Sequence, residues 1–165
     1  MHIHRLDEKT IALEDIDPLC AALLASIALR ADPAGDPAAE ARLFSTPTHG
    51  AEPGTDAEWK EYVEPDLRQL FQDAVGVVKS DLERFPPAGV EPPYKLRLPL
   101  SHLDAWIHAL NQARLALAAR FDFAERDMDS PITLDVEPRS RALFEVRFYG
   151  LLQEFFLQQL DEDPD

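Results

Sequence analysis

Residues 101–121, SHLDAWIHALNQARLALAARF, constrain the fold more than any other stretch, because they write one amphipathic helix with a cation inside its apolar stripe. At about 100° per residue, Leu103, Trp106, Ile107, Leu110, Ala113, Leu117 and Phe121 share a face, and Arg114 lies among them. Such a stripe has to be buried against other elements, and the guanidinium then needs a partner, since buried charges are normally paired. A structural ion pair, with the arginine stem packed on the core, is the first reading. An anion- or carboxylate-binding site is the second, because a planar donor fork grips such groups in bidentate fashion. A solvated head at the margin of the stripe is the third.

Two acids have the pattern to meet that arginine. Glu145 projects between Leu152 and Phe156 on the last helix, and Asp81 projects between Leu70 and Ala74 on an earlier one. Glu145 is preferred, on the expectation that the two most apolar helices pack together. Asn111, at the edge of the stripe, is expected to brace the cluster through a structural hydrogen bond. Arg114, Asn111, Glu145 and Asp81 are thus the candidate buried polar cluster.

The rest of the chain predicts a mainly α fold: a bundle of about four to five helices with a small antiparallel sheet. HIHRL and TIALE alternate like two strands around a turn at Asp7, Glu8 and Lys9, and a strand near 95–99 could pair with that hairpin. Asp17-Pro18 starts a helix to about Arg30, and Asp36-Pro37 starts a short one through Phe44, within a Pro- and Gly-rich stretch that is otherwise loop. Thr55 and Glu58 have capping-box spacing, so a helix is expected from Asp56, with a kink or break at Pro65 and a continuation to about Arg84. Ser101 and Asp104 repeat the capping pattern. Residues 122–137 read mostly as loop, and Pro138 opens a last helix with Phe144, Phe148, Leu151, Leu152, Phe155 and Phe156 on a wide apolar arc. That arc implies contact on two sides, either as a central core helix or with part of its aromatic surface in a dimer interface. One α-rich domain over 1–160 and an acidic tail over 161–165 are expected.

Thirty-one acidic against sixteen basic residues give a net charge of −15, which repels phosphate backbones and anionic membranes. Neither nucleic acid nor a membrane is an expected partner. Cys20 is the only cysteine, so a reducing, cytoplasmic setting is the simplest expectation, and its place in PLCAALLASIAL makes it a small buried hydrophobe. No run reaches the ~18 apolar residues of a membrane span, and the first ten residues lack a signal peptide's apolar core.

Catalytic and cofactor patterns are missing. The six glycines form neither GxxxxGK[ST] nor GxGxxG, and no serine lies in a glycine-flanked elbow. His2 and His4 would share one side of a strand without a third ligand, and Asp104 with His108 reads as a surface pair. Asp122, Glu125, Asp127 and Asp129 lack the glycine and terminal glutamate of a calcium loop. No metal or cofactor is expected.

ALNQARLALAARFDF, LRLPLSHLDAWI and EPDLR resemble DUF2017, an uncharacterised bacterial family, over most of the chain. The resemblance places a strand before a helix carrying a tryptophan and a leucine-asparagine-x-x-arginine-leucine core, here Trp106, Leu110, Asn111, Arg114 and Leu115, with Arg120 as a second arginine. Ala118 and Ala119 stand where the family often has glycine and threonine. The resemblance implies an α-rich domain without assigned activity, and a link by association to the Clp protease adaptor machinery, since family members are often encoded near such an adaptor. The expected function is a non-catalytic domain that binds another protein or itself; the alternative is a small-molecule binder or enzyme that holds an anion on Arg114.

Overall fold

In a computed structural model, which describes residues 1–129 and 137–161, the N-terminal alternation becomes a hairpin of β1 (His2–Asp7) and β2 (Thr10–Ile16). Ile3 lies opposite Leu13 and Arg5 opposite Ile11, and the Asp7 carboxylate accepts the Lys9 amide at 2.8 Å to close the turn. The other edge of β2 is taken by β3 (Tyr94–Pro99), antiparallel, with Leu98 opposite Ile11 and Leu96 opposite Leu13. The central strand is therefore β2, and its Ile11, Leu13 and Ile16 are fully buried. Along β3, buried Leu96 and Leu98 alternate with exposed Lys95 and Arg97, as the period of two requires.

Seven helices complete the fold among the described residues: α1 (Pro18–Ala31), α2 (Pro37–Leu43), α3 (Pro53–Tyr62), α4 (Glu64–Leu82), α5 (Leu103–Arg120), α6 (Glu125–Met128) and α7 (Pro138–Asp161). The fold is mainly α, with four long helices, three short ones and the small sheet that the pattern predicts. The starts of α1 and α2 follow directly from their sequences. Asp17 accepts the Cys20 amide at 2.9 Å, Asp36 accepts the amides of Ala38 and Ala39 at 3.0 Å, and each aspartate is followed by a proline whose missing N–H costs nothing at that position. Pro65 falls in the first turn of α4, so the expected break separates α3 from α4.

Both expected capping boxes fail. α3 starts at Pro53, ahead of the predicted Asp56, because proline suits the first helical turn. The Asp56 carboxylate instead folds back on the preceding loop, accepting the Thr48 hydroxyl at 2.8 Å, the Thr48 amide at 3.1 Å and the Gly50 amide at 2.6 Å. Before α5 a single 3-10 turn, Leu100–His102, carries the chain out of β3, with the Leu100 amide donating to the Lys9 carbonyl at 2.7 Å. Ser101 caps nothing there; α5 starts at Leu103. Of the expected tail, Asp161 ends α7 and residues 162–165 lie outside the described residues, as do residues 130–136 of the expected loop.

The centre of the molecule is α5, which packs against α1, α2, α4 and α7. Leu103, Trp106, Leu110, Ala113 and Leu117 are buried as the stripe predicts, but Ala109, Ala116 and Gln112 are buried too. These additions turn the buried arc roughly 60° from the predicted one. Alanines carry little weight in an amphipathic pattern, yet three of them give the neighbouring backbones room to approach from several sides. The main core joins β2 and β3 to α1, α5 and α7, with Trp106 edge-to-face on Phe156 at 5.8 Å. A smaller cluster joins Ala39, Leu43 and Phe44 to Ala116 and to Phe71 of α4. No helix among the described residues is long and apolar enough to cross a membrane.

Burial opposes the charge on Asp56, but the Thr48 hydroxyl and the Gly50 and Thr48 amides outweigh it and hold its carboxyl down at about 2. A depressed carboxylate stabilises the fold above its unfolded pKa, and that stability is lost as pH falls from about 4 to about 2. Replacing Asp56→Asn should therefore destabilise the protein at neutral pH. The gap between variant and wild type, measured by urea unfolding at a series of pH values, should close across that window.

Candidate functional site

One face of α7 is spent on the core. Ala142, Glu145, Val146, Tyr149, Leu152 and Phe156 form its buried face, and Glu145 is 1% exposed. A carboxylate in that position requires a cation, and it is Arg30, in the last turn of α1, that supplies one. Arg30 Nη2 donates to Glu145 Oε1 at 2.8 Å, while Nε approaches Oε2 to 2.6 Å without the alignment of a hydrogen bond. Arg141, one turn before Glu145 and largely exposed, adds a looser contact at 3.4 Å. Beside this pair the Tyr149 hydroxyl lies 2.8 Å from Ser26 Oγ and 3.1 Å from the Leu23 carbonyl, and burial pushes its pKa up to about 12. This polar seam locks α1 to α7.

Arg114 is not part of that seam, which corrects the expected pairing with Glu145. The rotation of the α5 arc moves Arg114 to the margin of the buried face, where its guanidinium lies over Gly150 of α7 and Nη1 donates to Gln153 Oε1 at 2.7 Å. A Cβ at position 150 would come within 3.4 Å of the guanidinium carbon, so the lack of a side chain there lets the two helices close around the planar group. Arg114 forms no ion pair with any described residue, and its Nε is buried without a hydrogen-bond partner.

Asp81 does not meet Arg114 either. Its carboxylate accepts from Trp106 Nε1 at 2.8 Å and lies 3.0 Å from His102 Nδ1, tying α4 to the start of α5. Asn111 is exposed, because the same rotation that buries Gln112 turns it outward. The four predicted residues are thus dispersed: Glu145 on the α1–α7 seam, Arg114 on the α5–α7 seam, Asp81 on the α4–α5 seam and Asn111 on the surface. The residue missed by sequence reasoning is Arg30. Its signal lies in the sequence, since Arg30 shares a helical face with Leu23 and Ile27, but a cation in the last turn of a helix also reads as a C-terminal residue.

Arg120 clamps another junction. Its Nε donates to Asp36 Oδ2 at 2.8 Å and its Nη1 to the Arg30 carbonyl at 3.3 Å, with Nη2 on the Asp32 carbonyl, so the end of α1 and the start of α2 are held on α5. Burial raises the Cys20 thiol to about 11, which keeps it protonated and unreactive at neutral pH. Among the described residues no group of three His, Cys, Asp or Glu side chains is placed to hold a metal ion.

What these contacts leave free is the outer side of α7. Phe144, Phe148, Leu151 and Phe155 fall within about 60° of one another on the helix. The two phenylalanines nearer the N-terminus rest partly on the core, whereas Leu151 is 58% and Phe155 47% exposed. The steps of four, three and four residues are those of a heptad seam. Arg147 and Glu154 lie on one flank of it, and Arg147 is held in place by Nη2 donating to the Asp127 carbonyl at 3.0 Å and to the Met128 carbonyl.

The family model described as a domain of unknown function (DUF2017) matches residues 5–160. No curated protein and no solved structure matches the chain.

The different surroundings of the two arginines predict different losses. Arg30→Met strands a buried carboxylate and should cost about 3 kcal/mol in urea unfolding. Arg114→Met breaks only a bond to an amide and should cost about 1 kcal/mol. Equal losses would contradict the assignment of Glu145 to Arg30.

Proposed function

Because the chain belongs to the DUF2017 family, whose activity is unassigned, we propose from its surface chemistry that it is a non-catalytic interaction domain that pairs with a second copy of itself through α7. The observation that carries this reading is the seam of Phe144, Phe148, Leu151 and Phe155. Its four-three-four spacing reads the same in both directions. About a two-fold axis between Tyr149 and Gly150, an antiparallel partner sets Phe144 against Phe155 and Phe148 against Leu151, which is the self-complementarity an isologous contact needs. The same operation brings Arg147 toward Glu154 across the flank.

Charge favours this helix as the meeting surface. The chain as a whole carries −15, so most faces of two copies repel each other. Along α7 the charges of Arg139, Arg141 and Arg147 balance those of Glu145, Glu154 and Asp161. The seam spans only about 17 Å, so the association should be weak, in the range of tens of micromolar.

A second reading rests on Arg114. A guanidinium with one amide partner and a buried, unpartnered Nε has donor capacity to spare for a carboxylate or phosphate at the α5–α7 junction. A rise in melting temperature with succinate or phosphate, lost in Arg114→Gln, would favour this reading.

Sedimentation velocity at increasing concentration tests the pairing. The apparent mass should rise toward a dimer, more so at high salt, which screens the repulsion of two acidic copies. The double substitution Leu151→Glu with Phe155→Glu should hold the protein monomeric without lowering its melting temperature, since both side chains are already half exposed. A monomer at every concentration up to roughly 200 µM would refute the reading, given the affinity expected of so short a seam.

A further inference from the structure

A cavity of about 330 Å³ lies between the end of α1, α2, α4 and α5. No residue of α7 lines it. Its volume is at the lower end of the range that small-molecule sites occupy. Phe44 and Phe71 supply aromatic wall, with ring centres 5.7 Å apart.

Three features of that wall set what it can hold: one buried amide and, at its exposed rim, a glycine and a lysine. Gln112 is 2% exposed, yet its amide nitrogen reaches only the Phe71 carbonyl, at 3.5 Å, and its amide oxygen accepts no hydrogen bond from the described residues. That oxygen is not sealed from solvent, so it is open to a donor that enters the cavity. Gly76 sits in the interior of α4, where glycine is among the weakest helix formers, and a Cβ there would meet nothing within 4 Å. No neighbour demands its bareness, and its effect is to leave the cavity wall open. Lys79, one turn further along, forms no ion pair with a described residue, whereas the other lining cation, Arg68, stacks on Phe44 at 3.7 Å and is bound by both Glu40 and Glu64.

We propose that this cavity binds a small aromatic acid, its carboxylate on Lys79, its ring against Phe44 and Phe71, and a hydrogen-bond donor of the ring on the Gln112 amide oxygen. The charges support an acid over a base. Glu40 is engaged by Arg68 and Asp32 accepts the Ala34 amide at 2.9 Å, which leaves Lys79, exposed at the rim of the cavity, as the lining cation not engaged by a described residue. An aromatic acid with a donor opposite its carboxylate satisfies both loose ends at once, and an apolar body of one ring fits a cavity of this size.

The test is a titration of the full-length chain with 4-hydroxybenzoate, followed through backbone amide resonances. Saturable shifts centred on Phe71, Gly76, Lys79 and Gln112 are expected, and benzoate, which lacks the donor, should bind several-fold more weakly. Lys79→Gln should weaken 4-hydroxybenzoate about tenfold. Gly76→Leu, which improves the helix former while crowding the wall, should abolish binding with the melting temperature kept or raised. Shifts that fail to saturate by roughly 10 mM, that persist in Gly76→Leu, or that centre on Arg114 would each overturn the proposal. The outcome is independent of whether α7 pairs two copies, because the two surfaces share no residue.

Discussion

A carboxylate excluded from water is the demand around which this molecule is arranged. Glu145 stands on the buried face of the longest helix, and its charge can be tolerated there only if a cation arrives from another element at the right height. Arg30 does so from the last turn of α1. That requirement fixes how α1 and α7 lie against each other, and the adjacent Ser26–Tyr149 contact at 2.8 Å repeats the constraint one turn away. Apolar packing of the same two helices could slide by a turn with little loss. A charge pair flanked by a hydroxyl pair cannot, because any slip leaves several polar groups unsatisfied at once.

The remaining seams use the same device in weaker forms around α5. Arg120 holds the α1–α2 junction, Asp81 holds the start of α5 through Trp106 and His102, and Arg114 lies flat on Gly150. Between these polar fixings the buried surface of α5 mixes large side chains, Leu103, Trp106, Leu110 and Leu117, with Ala109, Ala113 and Ala116, whose small size helps one helix to be surrounded by four others. The polar groups set register, and the alanines set distance. Such an arrangement explains why so many charged residues of an acidic chain are engaged in pairs at helix junctions.

Legibility from the sequence differed by kind of signal. Elements marked by residues that act on their own backbone were readable: the Asp-Pro starts of α1 and α2, the alternation of the three strands, and the proline that separates α3 from α4. The capping boxes at Thr55 and Ser101 misled because their side chains have competitors in space. Asp56 is drawn to Thr48 and Gly50, and the turn before α5 is pinned to Lys9. For the polar cluster, the helical wheel identified Glu145 and Asp81 as acids on buried arcs, yet it offered either one, Glu145 first, to an arginine that neither meets. A wheel ranks positions around one axis and carries no information on which neighbouring helix reaches a given height.

By itself the sequence determined the long helices and the three strands, the mainly α class, the buried carboxylate on α7 and the surplus of apolar residues on that helix's outer side, because each depends on residues close along the chain. Only the tertiary structure decided that Arg30 answers Glu145, that Gln112 turns inward while Asn111 turns out, and that Leu151 and Phe155 stay exposed beside the half-buried Phe144 and Phe148. The second of these outcomes follows from the rotation of α5 among its neighbours. That rotation is set by the summed fit of four helix contacts, a quantity that no local pattern records.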